Sequence, residues 1–89
     1  MNSRLTALRD DIFTVDENIV RMLVKRTEIA IGISKEKAKL GLPVKDPVRE
    51  EQVINAITSL PHEPMHTEDL ERIYRLIIDL SREAQMRAR

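Results

Sequence analysis

The stretch Met22–Ile33, "MLVKRTEIAIGI", decides how the chain is read. It lies inside an apolar repeat that begins at Leu5 and continues through Leu8, Ile12, Val15, Ile19, Met22, Ile29 and Ile33. The steps are three and four residues in alternation, which is the spacing of one face of an α-helix. One step is missing, and Arg26 stands where it falls, in register with the leucines and isoleucines. A bare guanidinium on an inward face is costly unless an anion answers it. The sequence leaves two answers open: an acid of the same chain, or an anion from outside.

Working outward, the repeat predicts one helix from about Ser3 to Leu40, about 50 Å long at ~1.5 Å per residue, with Gly41 as its C-terminal stop. The loop "GLPVK" leads to Asp46-Pro47, an N-cap followed by proline at the first helical position. A second helix is predicted from there to about Leu60, with Val53, Ile54, Ile57 and Leu60 inward. After "PHEPMH", Thr67 is the expected cap of a third helix. Glu68 and Asp69 are acids of the correct sign for its first turn, and Leu70, Ile73, Ile77, Leu80 and Ala84 form its stripe. No strand pattern intervenes. The fold expected is all-α, a single domain over 1–89 with a very long, a short and a medium helix. Two short helices cannot cover the whole stripe of the long one. A second copy lying antiparallel along it is the simplest cover, giving a homodimeric helical bundle.

Composition narrows the function. The chain has 15 Lys+Arg against 15 Asp+Glu, with one Tyr, one Phe and no Trp. Neither the excess positive charge of a nucleic-acid or anionic-membrane binder nor the aromatics for base stacking are present. There is no cysteine, hence no disulfide framework or thiolate chemistry. The start, "MNSRLTALRDD", lacks an apolar leader, and no run approaches the ~18 apolar residues of a membrane span. A cytoplasmic protein is expected. The ending "REAQMRAR" fits either a stand-alone protein or a piece of a larger enzyme.

Several polar residues share the inward faces. Lys37 lies eleven residues beyond Arg26, three turns on and about 20° round, so both face the same way. Lys35 and Lys39 point away and suit the dipole of a last turn. Asp46, Arg49 and Glu50 cluster at the start of the second helix, where a cap with exposed charges would also explain them. Ser81 and Gln85, one turn apart, share an edge with Tyr74. Arg9 is at the margin of the long stripe. His62 and His66 fall in a Pro-bounded loop with no carboxylate pattern for a metal. Cations, a carboxylate, a hydroxyl and an amide thus point into an apolar bundle. They include no nucleophile–base pair, no metal cluster and no phosphate-cradling glycine loop. Such a set suits a small polyanion carrying hydroxyl or ether oxygens, bound or transformed by positioning and electrostatics.

The whole chain resembles the all-helical class of chorismate mutases. The matching stretches are "LRDDIFTVDENIVRMLVKR", "KEKAKLGLPVKDPVREEQV" and "LIIDLSREAQ". The middle one is the most specific, with Lys37, Gly41, Pro43, Asp46-Pro47 and Arg49-Glu50 at the family's spacing. Phe13 is a departure, where the family commonly has an acid. The resemblance implies an intertwined homodimer that converts chorismate to prephenate without cofactor, on the route to phenylalanine and tyrosine. It implies that Arg26, and Arg9 from the partner chain, bind the two carboxylates, with Ser81 assisting. Glu50 and the backbone near Asp46 would hold the ring hydroxyl, and Arg49 would line that region. Lys37 and Gln85 would donate to the ether oxygen. An isochorismate-pyruvate lyase and a non-catalytic regulatory helical dimer domain are the alternative readings.

Overall fold

The computed structural model describes residues 2–89. Three helices follow one another: α1 (Ser3–Lys39), α2 (Pro47–Thr58) and α3 (Thr67–Arg87). Among the described residues there is no strand. The molecule is elongated, 60 × 24 × 15 Å, because α1 runs its whole length.

The helix ends follow local chemistry. The Asn2 side chain accepts from the Leu5 N–H at 2.9 Å and caps α1. At the other end Gly41 takes φ +70°, which disfavours a side chain. The Leu42 N–H then returns to the Lys37 carbonyl at 2.8 Å, and the Gly41 N–H to that of Ala38 at 3.1 Å. This is the αL termination expected of glycine after a helix. Asp46 caps α2 through the Arg49 N–H at 3.1 Å, with Pro47 in the first turn. The expectation for α3 is corrected. The cap position belongs to His66, which makes no side-chain cap bond, and Thr67 is already helical. The Thr67 hydroxyl instead meets the His62 ring at 2.8 Å, and His62 also bonds the Leu60 carbonyl at 2.7 Å. Satisfied by that loop contact, the hydroxyl is not the cap.

The core is small. Ala30, Ile54, Ile78, Ala84 and Ser34 are buried. Ala30 and Ser34 lie to one side of the predicted α1 stripe. Their small side chains let α1 and α3 approach closely. The Ser34 hydroxyl, wholly enclosed, donates to the Gln85 carbonyl at 3.3 Å. Arg89 closes this end, donating to the Ser34 hydroxyl at 3.1 Å, to the Ser34 carbonyl at 3.2 Å and to the Leu42 carbonyl at 2.9 Å. On α3 the centre of packing is Ile78, one step off the expected stripe, while Ile73 and Leu80 stay exposed. Leu60, expected inward on the second helix, is exposed and lies past the end of α2. An Arg75–Glu51 ion pair at 2.9 Å ties α3 to α2 on the outside.

The predicted stripe on α1 is regular but uncovered within the chain. Leu5, Leu8, Ile12, Val15, Ile19 and Met22 are each 41–62% exposed, and no residue from Asn2 to Ile29 is buried.

Candidate active site

Beside the α1–α3 packing, with the first turns of α2 as a further wall, a cleft of about 500 Å³ opens. One wall is the C-terminal part of α1, which contributes Arg26, Ile29, Ile33 and Lys37 at helical spacing. The turn after α1 adds Val44 and Asp46, and the first turns of α2 add Arg49, Glu50 and Val53. The opposite wall is α3, with Ile78, Ser81, Arg82 and Gln85. The apolar members form the sides, and the polar ones converge from three elements far apart in sequence. This is the usual build of a small-molecule site.

Of the eight residues singled out in the sequence, seven line this cleft: Arg26, Lys37, Asp46, Arg49, Glu50, Ser81 and Gln85. Arg9 does not. It projects from the exposed N-terminal arm of α1, seventeen positions before Arg26, or about 25 Å along the axis. Tyr74, placed on the same edge as Ser81 and Gln85, is not part of the lining either. The Asp46 carboxylate is engaged as the α2 cap, so what it offers the cleft is its backbone and its charge.

The question posed by Arg26 now has a structural answer. Its guanidinium donates to the Ser81 hydroxyl at 3.1 Å. Among the described residues, no carboxylate lies within ion-pair distance of Arg26, Lys37 or Arg49. The same-chain ion pair is therefore ruled out as the reason for this arginine. Lys37 likewise donates only to a neutral acceptor, the Val44 carbonyl, at 3.1 Å. Ser81 accepts from a cation and has no histidine or carboxylate bonded to it, so it is not built as a nucleophile. The Gln85 side-chain oxygen is buried without a partner.

Arg82 is the charged lining residue that the sequence did not single out. It grips Glu50 from across the α2–α3 junction. Its Nη2 reaches the two carboxylate oxygens at 2.9 and 3.1 Å, and its Nε reaches one of them at 3.2 Å. The hydrogen bonds it donates to Glu50 push the guanidinium pKa up. Its signal was its place directly after Ser81 within "LSREAQ", but a single arginine on a helix edge reads as solvated surface. In all, four cations and two carboxylates line the cleft, a surplus of two positive charges. That balance fits a dianion.

The family model for chorismate mutase type II matches residues 8–86, nearly the whole chain and all of the cleft. The chain belongs to the chorismate mutase type II family. A bifunctional chorismate mutase/prephenate dehydratase from Buchnera aphidicola (subsp. Schizaphis graminum) is 32% identical over 78 residues. That alignment covers 86% of this chain and 20% of the relative, so the chain spans about a fifth of that protein. The chorismate mutase (form II) of Thermus thermophilus superposes with a TM-score of 0.92 at 29% identity, covering 96% of this chain and 97% of that one. The Helicobacter pylori chorismate mutase, solved in complex with prephenate, superposes with a TM-score of 0.89 at 29% identity, covering 98% of this chain and 94% of that one. The three-helix order is thus that of chorismate mutases. Phe13, the departure from the family's usual acid, is 65% exposed and far along α1 from the cleft.

Proposed function

We propose that this chain is a chorismate mutase, rearranging chorismate to prephenate in aromatic amino-acid biosynthesis. The observation that carries the reading is the group of three cations, Arg26, Lys37 and Arg49, facing one cleft with no acid among the described residues within ion-pair distance of them. Chorismate is a dicarboxylate with a ring hydroxyl and an ether oxygen. In the reaction the ring-carbon–oxygen bond breaks while the enolpyruvyl methylene joins the ring. All electrons move within one molecule, and no proton or covalent adduct is required.

Catalysis of such a step rests on holding a compact conformer and on meeting the charge that develops. Arg26, braced by Ser81, takes one carboxylate, and a charge-assisted contact of this kind fixes orientation as well as adding affinity. Glu50 and the backbone at Asp46 accept the ring hydroxyl, with Arg49 beside them. Lys37 and Gln85 donate to the ether oxygen, which becomes more negative as its bond breaks. Such donors are worth a few kcal/mol each in a site that excludes water.

The second carboxylate falls to Arg9 of a partner copy in an intertwined homodimer. Support for the dimer comes from the uncovered stripe on α1. Covering the remaining half of each exposed side chain from Leu5 to Met22 contributes on the order of 1 kcal/mol per residue.

The test is product identification by chromatography after incubation with chorismate and, separately, with isochorismate. The expected result is conversion of chorismate to its isomer prephenate with no pyruvate released from either compound. Pyruvate release from isochorismate without turnover of chorismate would replace this reading by the lyase.

A further inference from the structure

We propose that Arg82 is a positioning residue that makes the cleft selective for a free ring hydroxyl, by holding Glu50 for that hydroxyl and away from the carboxylate-binding cations. The proposal rests on the mutase reading, in which Glu50 is the hydroxyl acceptor.

Glu50 shares the cleft with Arg26, Lys37 and Arg49. A carboxylate left free there would turn to the nearest unpaired cation and neutralise a charge needed by the ligand. Glu50 bonds to none of the three among the described residues. Both of its oxygens are held by Arg82 instead. The side chains of the pair are 27% and 24% exposed, so solvent screens them only in part. Arg82 is braced from behind by Asp79 at 3.3 Å, one turn earlier on α3. The line Asp79–Arg82–Glu50 therefore fixes the carboxylate in one orientation before any ligand arrives. A carboxylate has about four lone-pair positions, and the guanidinium does not occupy them all. Glu50 is left as an oriented acceptor for one hydroxyl proton.

The planar fork of arginine matters for this task. A lysine could supply the charge but would not set the carboxylate plane. A site whose partly buried acceptor is aimed at a hydroxyl discriminates against a ligand unable to donate.

The experiment compares the protein with Arg82→Leu and Arg82→Lys. Each is assayed for kcat/KM on chorismate and on chorismate whose ring hydroxyl is methylated. For Arg82→Leu we expect a loss of about tenfold or more on chorismate and a change within about twofold on the methyl ether, so the preference for a free hydroxyl collapses. Arg82→Lys should fall between the parent and Arg82→Leu. It carries the test alone if circular dichroism shows Arg82→Leu unfolded. In a Glu50→Gln background, Arg82→Leu should add less than about twofold, because its effect is relayed through Glu50. Equal losses on both compounds would mean that Arg82 acts as plain charge for the carboxylates, and unchanged values that it merely joins two helices; either overturns the proposal. Failure of the parent to turn over chorismate would remove the mutase reading and this proposal together. Turnover by the parent with an Arg82→Leu variant that keeps the parental preference for the free hydroxyl would remove this proposal alone.

Discussion

Arg9 and Arg26 stand on the same unbroken helix, seventeen positions and about 25 Å apart, so they cannot grip one small ligand from one chain. In an antiparallel pair of α1 helices, Arg9 of one copy reaches Arg26 of the other when the two-fold axis passes near Glu17 and Asn18. This makes a complementation experiment decisive. Arg9→Ala and Arg26→Ala homodimers should each be nearly inactive. After unfolding and refolding together in equal amounts, half of the dimers are mixed and carry one intact site of two. About a quarter of parental activity should return. No recovery, with mixed dimers verified by mass, would place Arg9 outside the site. Sedimentation showing a stable folded monomer at micromolar concentration would refute the dimer itself.

Arg26→Ala alone should cut kcat/KM by at least about a hundredfold while leaving helicity and dimerisation intact. Among the described residues the arginine has no acid partner, so its removal strands no carboxylate of the chain. Near-parental activity would dismiss the carboxylate role. An unfolded variant would show that the Arg26–Ser81 bond is a structural need.

The amide of Gln85 is proposed to donate to the ether oxygen, and its own oxygen is enclosed without a partner. Gln85→Glu keeps the shape but presents an acceptor when ionised. Activity should be poor at neutral pH and recover as pH falls and the carboxyl gains a proton to donate. Lys37 draws that recovery to lower pH, and burial draws it to higher. The check is kcat/KM against pH for variant and parent, with circular dichroism at each point. Parallel acid limbs would remove Gln85 from this role.

The Arg75–Glu51 pair links α3 to α2 at the surface. The hydrogen bond from Arg75, and then its charge, hold the Glu51 carboxyl below its usual range. A depressed folded-state pKa stabilises the fold above the unfolded value, and that contribution is lost as pH falls through the folded one. Glu51→Gln should therefore lower Tm slightly at pH 7, and the difference should vanish in strong acid, where both proteins lack the charge. Both side chains are solvent-exposed, so the shift should shrink in high salt. A difference that persists in acid would point to packing instead of charge.

Three helices, their approximate ends and most of the site's polar residues were legible in the sequence because they depend on local chemistry. Periodicity reports a helix face, glycine after a helix reports its end, and Asp-Pro reports the start of the next. Arg26 and Lys37 could be placed together because eleven residues bring a helix back almost to the same side. The misses have physical causes too. Thr67 sits in the right local pattern for a cap, but a neighbouring histidine competes for its hydroxyl. Ala30 and Ser34 carry little hydrophobic signal, yet the closeness of α1 and α3 depends on their small size. Which α1 face meets its own chain was therefore not readable from the large apolar residues, which stay exposed. Arg82 is the clearest case. Nothing in its neighbours marks it, because its partner Glu50 is 32 positions away on another helix. A pairing over that distance exists only after α2 and α3 are packed. The same holds for Arg26, which has no acid within ion-pair distance among the described residues: a sequence with 15 acidic residues offers many partners, and only the tertiary structure shows that none of them arrives.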